Sequence, residues 1–121
     1  MKGSASNRVD AAGRGNRHLD GFLEMLSAER GAARNTLDAY RRDLEDYSAF
    51  LLRRGVRAER VETETIRDYL AALSAAGASR ATASRRLSAV RQFHKYLLGE
   101  GIGQDNPVTT IESPKLHRSL P

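Results

Sequence analysis

Cysteine and tryptophan are absent from this chain of 121 residues. Without cysteine there are no disulfides and no thiolate metal ligands, which fits a reducing compartment such as the cytoplasm. There is no run of about 18 apolar residues, so we expect no transmembrane helix. No apolar segment follows Lys2, so we expect no secretory signal. These absences favour a cytoplasmic protein with no membrane-spanning segment.

Acidic residues are fewer than basic ones, 15 against 20, which gives a formal net charge of +5 and a pI of about 10.1. A surplus of this sign favours an anionic partner such as nucleic acid or a membrane surface. The hydrophobic fraction of 40% allows a small helical core but no large cofactor cavity. The three histidines are far apart and lack metal-ligand spacing, so we predict neither a metal site nor a cofactor.

Apolar residues recur at helical spacing in four segments, which predicts helices over 19–30, 34–54, 64–76 and from 80 to 99 or 101. Glycines follow the first three segments in the position typical of a helix end. Thr63 and Ser79 are the expected N-caps of the third and fourth helices. We expect residues 1–17, rich in Gly, Ser, Ala, Asn and Arg, to form a disordered arm.

The last part of the chain, residues 102–121, contains all three prolines. Because proline interrupts helices, we predict an extended connector there. The expected organisation is an arm over 1–17, a helical domain over 18–104 and a linker over 105–121. A linker at the end of the chain suggests a fragment whose next domain lies beyond Pro121.

The fourth helix has an unusual charge distribution, with five basic residues and no acidic residue between Arg80 and Leu98. Its predicted buried stripe is Ala83, Leu87, Val90, His94, Leu97 and Leu98. Polar residues suited to phosphates and base edges occupy the opposite side: Ser84, Arg85, Ser88, Arg91, Gln92 and Lys95. We interpret this side as a cationic surface for a nucleic-acid backbone, provided that no carboxylate from elsewhere in the chain neutralises it.

The second helix carries charges of both signs. Asn35, Thr36 and Arg42 are near its start, where free backbone N–H groups favour a phosphate. The alternative is a solvated surface on which Arg41 pairs with Asp38 and Glu45. Composition alone favours that alternative.

Three motifs together resemble bacterial tyrosine recombinases of the XerC/XerD type. The segment 35–44, NTLDAYRRDL, is similar to their second helix, and 85–97, RRLSAVRQFHKYL, to their fourth. Asp105-Asn106-Pro107, Ser113-Pro114-Lys115-Leu116 and Leu120-Pro121 are similar to their interdomain linker. The resemblance runs from Leu19 to Pro121, and the linker makes the XerD branch slightly closer than the XerC branch.

This resemblance implies an all-α, four-helix bundle of the SAM-like type, the core-binding domain that clamps double-stranded DNA together with a catalytic domain. The second and fourth helices would lie toward the major groove. One departure is Ala33, where relatives often place a serine cap. The implied DNA contacts are Asn35, Thr36, Arg41, Arg42, Ser84, Arg85, Ser88, Arg91, Gln92, Lys95, Lys115 and Arg118.

The resemblance also implies a parent enzyme that cuts and rejoins DNA through a tyrosine nucleophile. All four tyrosines of this chain fall within predicted helices, and Tyr40, Tyr47 and Tyr69 are on apolar stripes, so we assign these three to the core. The catalytic residues would follow Pro121, and this fragment would be an inactive monomer associated with the nucleoid. The parent would act as a tetramer with a partner recombinase on two dif-like sites, resolving chromosome dimers with a septal DNA translocase.

Other functions remain open on the residues alone. The core-binding domain of a phage or mobile-element integrase has a similar pattern. A helical protein-interaction module would direct the basic surface to an acidic partner. A helix-turn-helix repressor is a third alternative, with Ala76-Gly77-Ala78 as its nearest candidate turn. Binding to duplex DNA that weakens steeply with salt separates the DNA-binding classes from the interaction module.

Overall fold

The computed structural model describes residues 17–103 and 105–111. Within these ranges the chain forms four α-helices and no strand. They are α1 (17–30), α2 (Arg34–Arg54), α3 (Thr63–Ala75) and α4 (Arg80–Gly99), with a short 3-10 helix at Ala58–Arg60. The prediction of an all-α fold with four helices is confirmed for this part of the chain. The predicted arm falls almost entirely outside it.

The end of α2 and the start of α4 are capped, whereas the starts of α2 and α3 have no side-chain cap. Gly55 ends α2 with φ 68°, a left-handed conformation that glycine adopts without steric cost. Ser79 caps α4 as predicted, and its side chain accepts a hydrogen bond from the backbone N–H of Thr82 at 3.1 Å. The predicted cap of α3 is wrong, because Glu62 occupies the N-cap and Thr63 is the first helical residue. The Thr63 hydroxyl instead donates to the carbonyl of Pro107 at 2.9 Å.

The core is formed by one apolar side of each helix. The predicted stripe of α1 is confirmed, since Leu19, Phe22, Leu23 and Leu26 are all buried. The Phe22 ring lies 5.6–5.8 Å from the rings of Tyr40, Phe93 and Tyr96, which joins α1 to α2 and α4. Burial of a side chain of this size contributes roughly 2–3 kcal/mol.

The buried side of α4 is displaced from the predicted stripe. Leu98 was expected inside and is 42% exposed, while Ala89 and Phe93 were not assigned to the stripe and are buried. The reason is tertiary, because the contacts of Phe93 with Phe22 on α1 and of His94 with Tyr47 on α2, rather than the spacing within α4, set which of its residues are buried. Tyr47 and Tyr69 are buried as predicted, and Tyr40 is partly buried.

Residues 105–111 pack onto the bundle instead of leaving it. Val108 and Ile111 are buried, and the side chain of Asn106 accepts a hydrogen bond from the backbone N–H of Val108 at 3.0 Å. The prediction of an extended connector is therefore wrong for these residues. Burial of the apolar side chains of Val108 and Ile111 away from water favours this packed conformation over an extended, exposed one. The rest of the predicted linker falls outside the described residues.

Candidate nucleic-acid interface

A depression of about 510 Å³ lies between the start of α2 and the first half of α4. Five of the predicted DNA contacts meet there, although they come from segments far apart in the sequence. The lining residues are Asn35, Thr36, Ala39, Tyr40, Asp43, Ser84, Arg85, Ser88 and Ala89. The short side chains of Ser84 and Ser88 leave the α4 backbone accessible from this side. The packing of α2 on α4 thus assembles five of the twelve predicted contacts.

An ion pair that the sequence analysis missed joins the two helices in this depression. The Nε and Nη2 atoms of Arg85 donate to the two carboxylate oxygens of Asp43 at 3.0 and 2.9 Å. The Asp43 side chain is only 7% exposed, whereas that of Arg85 is 57% exposed. The hydrogen bonds to Asp43 raise the pKa of Arg85 above its ordinary value. A buried carboxylate therefore fixes one edge of an exposed guanidinium group.

A second arginine extends this pair toward α3. Arg86 Nη1 donates to Asp46 Oδ2 at 2.6 Å, and the Tyr69 hydroxyl donates to the same oxygen at 2.9 Å. Burial and the bond to Asp46 raise the pKa of Tyr69. Arg86 Nε lies 3.6 Å from Asp43 Oδ1 and is buried without a hydrogen-bond partner. We call Asp43, Asp46, Arg85 and Arg86 the charged cluster.

The charged cluster corrects the prediction of a purely cationic surface on α4. Two arginines face two carboxylates, so their formal charges cancel. The sequence of α4 lacks acidic residues, but α2 supplies them in space. The prediction of a cationic surface is therefore wrong for the part of α4 around Arg85 and Arg86, which carries no net charge. For the second half of the helix it remains a prediction.

That second half carries Arg91, Gln92 and Lys95. Arg91 is half-buried, and its Nη2 donates to the carbonyl of Ile111 at 2.9 Å, so it also anchors the C-terminal segment. Gln92 is half-buried. Lys95 is exposed, and no carboxylate in the described ranges pairs with it. It lies seven residues after Ser88 on the same face of α4. Lys95 therefore adds net positive charge on this face of α4, about 10 Å along the helix from Ser88.

The other predicted contacts lie elsewhere. Arg41 points toward α1, where it forms ion pairs with Asp20 at 3.3 Å and Glu45 at 3.8 Å. The expected pair with Glu45 is confirmed, but Asp20 takes the place expected for Asp38. Arg42 is exposed and is not part of the lining. Lys115 and Arg118 fall outside the described residues.

The interior of the bundle contains one histidine, and its environment is apolar. His94 Nε2 shares a hydrogen bond of 2.7 Å with the hydroxyl of the buried Tyr47. Burial lowers the pKa of His94 from 6.5 to about 4, so the ring is neutral at pH 7. Burial also raises the pKa of Tyr47. The prediction that His94 packs as an aromatic core residue is confirmed.

The part of the chain that the structure covers contains neither a metal-ligand cluster nor a helix suited to span a membrane. No group of three or more His, Cys, Asp or Glu side chains there is placed to hold a metal ion. Over the same residues, no helix combines the length and the apolar character needed to cross a membrane.

Asp43 is the residue of the site that sequence reasoning overlooked. A usable signal was present, since Asp43 lies three residues after Tyr40 and four before Tyr47, on the apolar side of α2. A carboxylate in that position requires a buried partner. The sequence of α2 does not reveal that the partner comes from α4, 42 residues away.

The sequence is similar to that of known protein domains. The family model described as the phage integrase N-terminal SAM-like domain matches residues 19–101. The chain is 46% identical over 104 residues to the tyrosine recombinase XerD of Rhizobium meliloti (strain 1021), an alignment that covers 86% of this chain and 33% of the relative. Identity to the tyrosine recombinase XerD of Caulobacter vibrioides is 52% over 102 residues, covering 84% of this chain and 33% of the relative.

The enzyme of the same name from Bradyrhizobium diazoefficiens is 51% identical over 100 residues, covering 83% of this chain and 31% of the relative. The chain thus spans about a third of the length of these relatives. No solved structure matches it.

Proposed function

Because this chain belongs to the family of phage integrase N-terminal SAM-like domains, with tyrosine recombinases as relatives, we propose that its α2–α4 surface binds duplex DNA for a site-specific recombinase. The observation that carries the proposal is the depression between the two helices. It brings together Asn35 and Thr36 from α2 with Ser84, Arg85 and Ser88 from α4. Side chains of these types are the usual donors to DNA phosphates and base edges.

The start of α2 suits a phosphate. Ala33 is its N-cap and offers no side-chain hydrogen bond, so the first backbone N–H groups of the helix remain available to an anion. Asn35 and Thr36 are exposed beside them. The exposed side chains of Lys95 on α4 and Arg42 on α2 add positive charge to the proposed surface. Arg41, Arg91, Gln92, Lys115 and Arg118 complete the proposed contact set, with Arg41 and Arg91 also holding structural contacts.

For the whole protein we propose the reaction of a tyrosine recombinase, which cuts and rejoins DNA. Such a reaction needs several cationic donors around one phosphate and a tyrosine nucleophile. We place these groups in a further domain that follows Pro121. The tyrosines of the described bundle are helical, and Tyr47 and Tyr69 are buried away from any substrate.

The proposed role in the cell is resolution of chromosome dimers at a dif-like site, with a partner recombinase in a tetramer and a septal DNA translocase. The relatives named XerD support this role over that of a phage or mobile-element integrase. A nucleoid-associated, cytoplasmic location follows from that role. Recombination of a plasmid carrying two dif sites by the full-length protein tests it, and activity only on an unrelated attachment site would favour the integrase.

Duplex binding by the 121-residue chain is the direct test. Fluorescence anisotropy with a labelled duplex of about 30 base pairs, repeated over a series of salt concentrations, gives the affinity and its salt slope. We expect binding that weakens steeply with salt, because phosphate contacts release counterions. Lys95→Gln should reduce the slope by about one.

The matched control is Arg53→Gln, which removes the same charge from an exposed residue of α2 roughly 27 Å from Asn35 along the helix. This variant should bind almost like the wild type. Absence of a complex at low salt would contradict the proposal. Equal losses in both variants would mean that charge acts diffusely, and displacement of the duplex by polyglutamate at equal charge would favour the acidic-partner alternative.

A further inference from the structure

Arg85 presents an unused hydrogen-bonding edge to the depression. Asp43 engages one N–H on Nε and one on Nη2. The Nη1 atom makes no hydrogen bond to any residue in 17–103 or 105–111. The outer edge of the guanidinium group, formed by Nη1 and the second N–H of Nη2, is therefore available to a ligand. The side chain is 57% exposed, so this edge is accessible.

We infer that Asp43 holds Arg85 in place so that its outer edge reads a guanine base in duplex DNA, which makes Arg85 the specificity-determining residue of the α2–α4 surface and Asp43 its positioning residue. The inference rests on the proposed DNA binding and adds the base that is recognised. Guanine offers two acceptors in the major groove, O6 and N7, spaced to accept both N–H groups of an arginine fork.

Charge favours a base edge over a phosphate as the ligand of this edge. The attraction of an arginine for a phosphate depends on its net charge, and the carboxylate of Asp43 at 2.9 Å offsets that charge. The acceptors of guanine are uncharged, so binding them requires a fixed pair of donors and little net charge. Lys95, which no described carboxylate pairs with, has the opposite character and suits a phosphate.

Fixed geometry is the second reason. A free arginine side chain loses rotational freedom when it binds, and this loss lowers affinity and blurs discrimination between bases. In this protein Asp43 restricts Arg85 before DNA arrives, through two hydrogen bonds to a carboxylate that is itself buried in the α2–α4 contact. Arg86 and Asp46 form a second side-chain hydrogen bond between the two helices beside this pair.

The experiment is selection of bound duplexes from a random library by the 121-residue chain, followed by affinity measurements on a selected duplex. The wild type should select at least one guanine position. Replacing that guanine, or substituting 7-deazaguanine to remove the N7 acceptor, should weaken binding about tenfold or more. Three variants are compared: Arg85→Lys, Asp43→Asn and, as the control, Lys95→Gln.

Arg85→Lys keeps the charge and should lose the guanine preference with an unchanged salt slope. Asp43→Asn should lose the preference as well, and yet bind unrelated duplexes more tightly, because it removes one negative charge from the surface. A purely structural role of Asp43 would weaken binding to every duplex alike. Lys95→Gln should weaken binding to all duplexes and keep the preference. Thermal unfolding shows whether Asp43→Asn is folded, and if it is not, Arg85→Lys decides.

Several results would overturn the inference. One is a guanine preference that survives Arg85→Lys. Another is a uniform loss of affinity in that variant, which would identify the ligand of Arg85 as a phosphate. If the wild type binds duplex DNA in a salt-dependent way but selects no guanine, the recognition of guanine is rejected and the proposed DNA binding is retained. Failure to bind any duplex would reject both.

Discussion

The two ends of α4 bury polar groups in opposite ways. Near its start the charged cluster pairs two arginines with two aspartates, and Arg85 keeps more than half of its side chain in solvent. Near its end His94 and Tyr47 share one hydrogen bond between neutral groups, at 2% and 0% exposure. Burying polar atoms is unfavourable unless they have partners. At one end of α4 the partners are opposite charges, and at the other end they are two neutral groups that share a hydrogen bond.

The difference explains which end can bind a ligand. Complete burial of an ion pair can cost more in lost hydration than the attraction regains, and this cost is smaller where one member of the pair stays in water. That exposed member can then contact a partner. The neutral pair is sealed in the core and can only stabilise the fold. The charged cluster belongs to the proposed binding surface, and the His94–Tyr47 pair belongs to the core.

The largest effect should come from acid acting on the neutral pair. The unfolded chain protonates His94 near pH 6.5, whereas the folded chain protonates it only near pH 4. The stability that depends on the neutral ring is therefore complete above pH 6.5 and is lost as the pH falls toward 4, by about 3 kcal/mol. Urea unfolding at a series of pH values measures this loss.

The control is the double variant Tyr47→Phe/His94→Phe, which keeps the aromatic volume and removes both polar groups. It should be less sensitive to pH between 7 and 4 by that amount. An unchanged pH profile in the double variant would show that other groups cause the acid sensitivity, and the contrast between the two ends of α4 would fail.

Removal of a carboxylate from the charged cluster should have the next largest effect. Asp43→Ala leaves two arginines beside an apolar gap, and we expect a loss of about 2 kcal/mol in the free energy of unfolding. Asp46→Ala should cost less, because the Asp46 side chain is already 48% exposed. Equal losses in urea unfolding at pH 7 would contradict the view that burial sets the importance of each carboxylate.

The starts of α2 and α4 offer a matched comparison of helix caps. Ser79→Ala removes the observed cap of α4 and should cost about 1 kcal/mol. Ala33→Ser adds the missing cap to α2 and should stabilise the protein by about 0.5–1 kcal/mol. Thermal unfolding should show shifts of opposite sign. If Ala33→Ser has no effect, the first N–H groups of α2 already have partners.

The smallest effect should come from an ion pair on the surface. Arg41 bonds Asp20 and approaches Glu45, but all three side chains are largely exposed. Arg41→Ala should change the free energy of unfolding by less than about 0.5 kcal/mol, and concentrated salt should abolish even that change. A loss comparable to that of Asp43→Ala would mean that solvent exposure does not weaken ion pairs in this bundle.

Much of the fold could be predicted because helix formation is local. The spacing of Leu19, Phe22, Leu23 and Leu26 predicts the buried side of α1, and all four are buried. Ser79 is recognisable as a cap because its partner is three residues away. The errors have another source. The exposure of Leu98 and the burial of Val108 and Ile111 depend on which elements pack nearby, and periodicity does not contain that information.

In the candidate site, too, the residue types could be predicted from the sequence and their arrangement in space could not. The residue types of Asn35, Thr36, Ser84, Arg85 and Ser88 could be selected from the sequence, because each suits contacts to DNA. Their meeting in one depression depends on how α2 packs on α4. The pairing of Arg85 with Asp43 was missed for the same reason, since the two residues are 42 positions apart.

The sequence by itself determined the four helices, the end of α2 at Gly55, the cap of α4 at Ser79 and the excess of positive charge, since all of these follow from spacing and composition over a few turns of chain. Only the tertiary structure decided where that charge acts. Electrostatic interactions depend on distance in space, so carboxylates on α2 cancel arginines on α4 that have no acidic neighbour along their own helix.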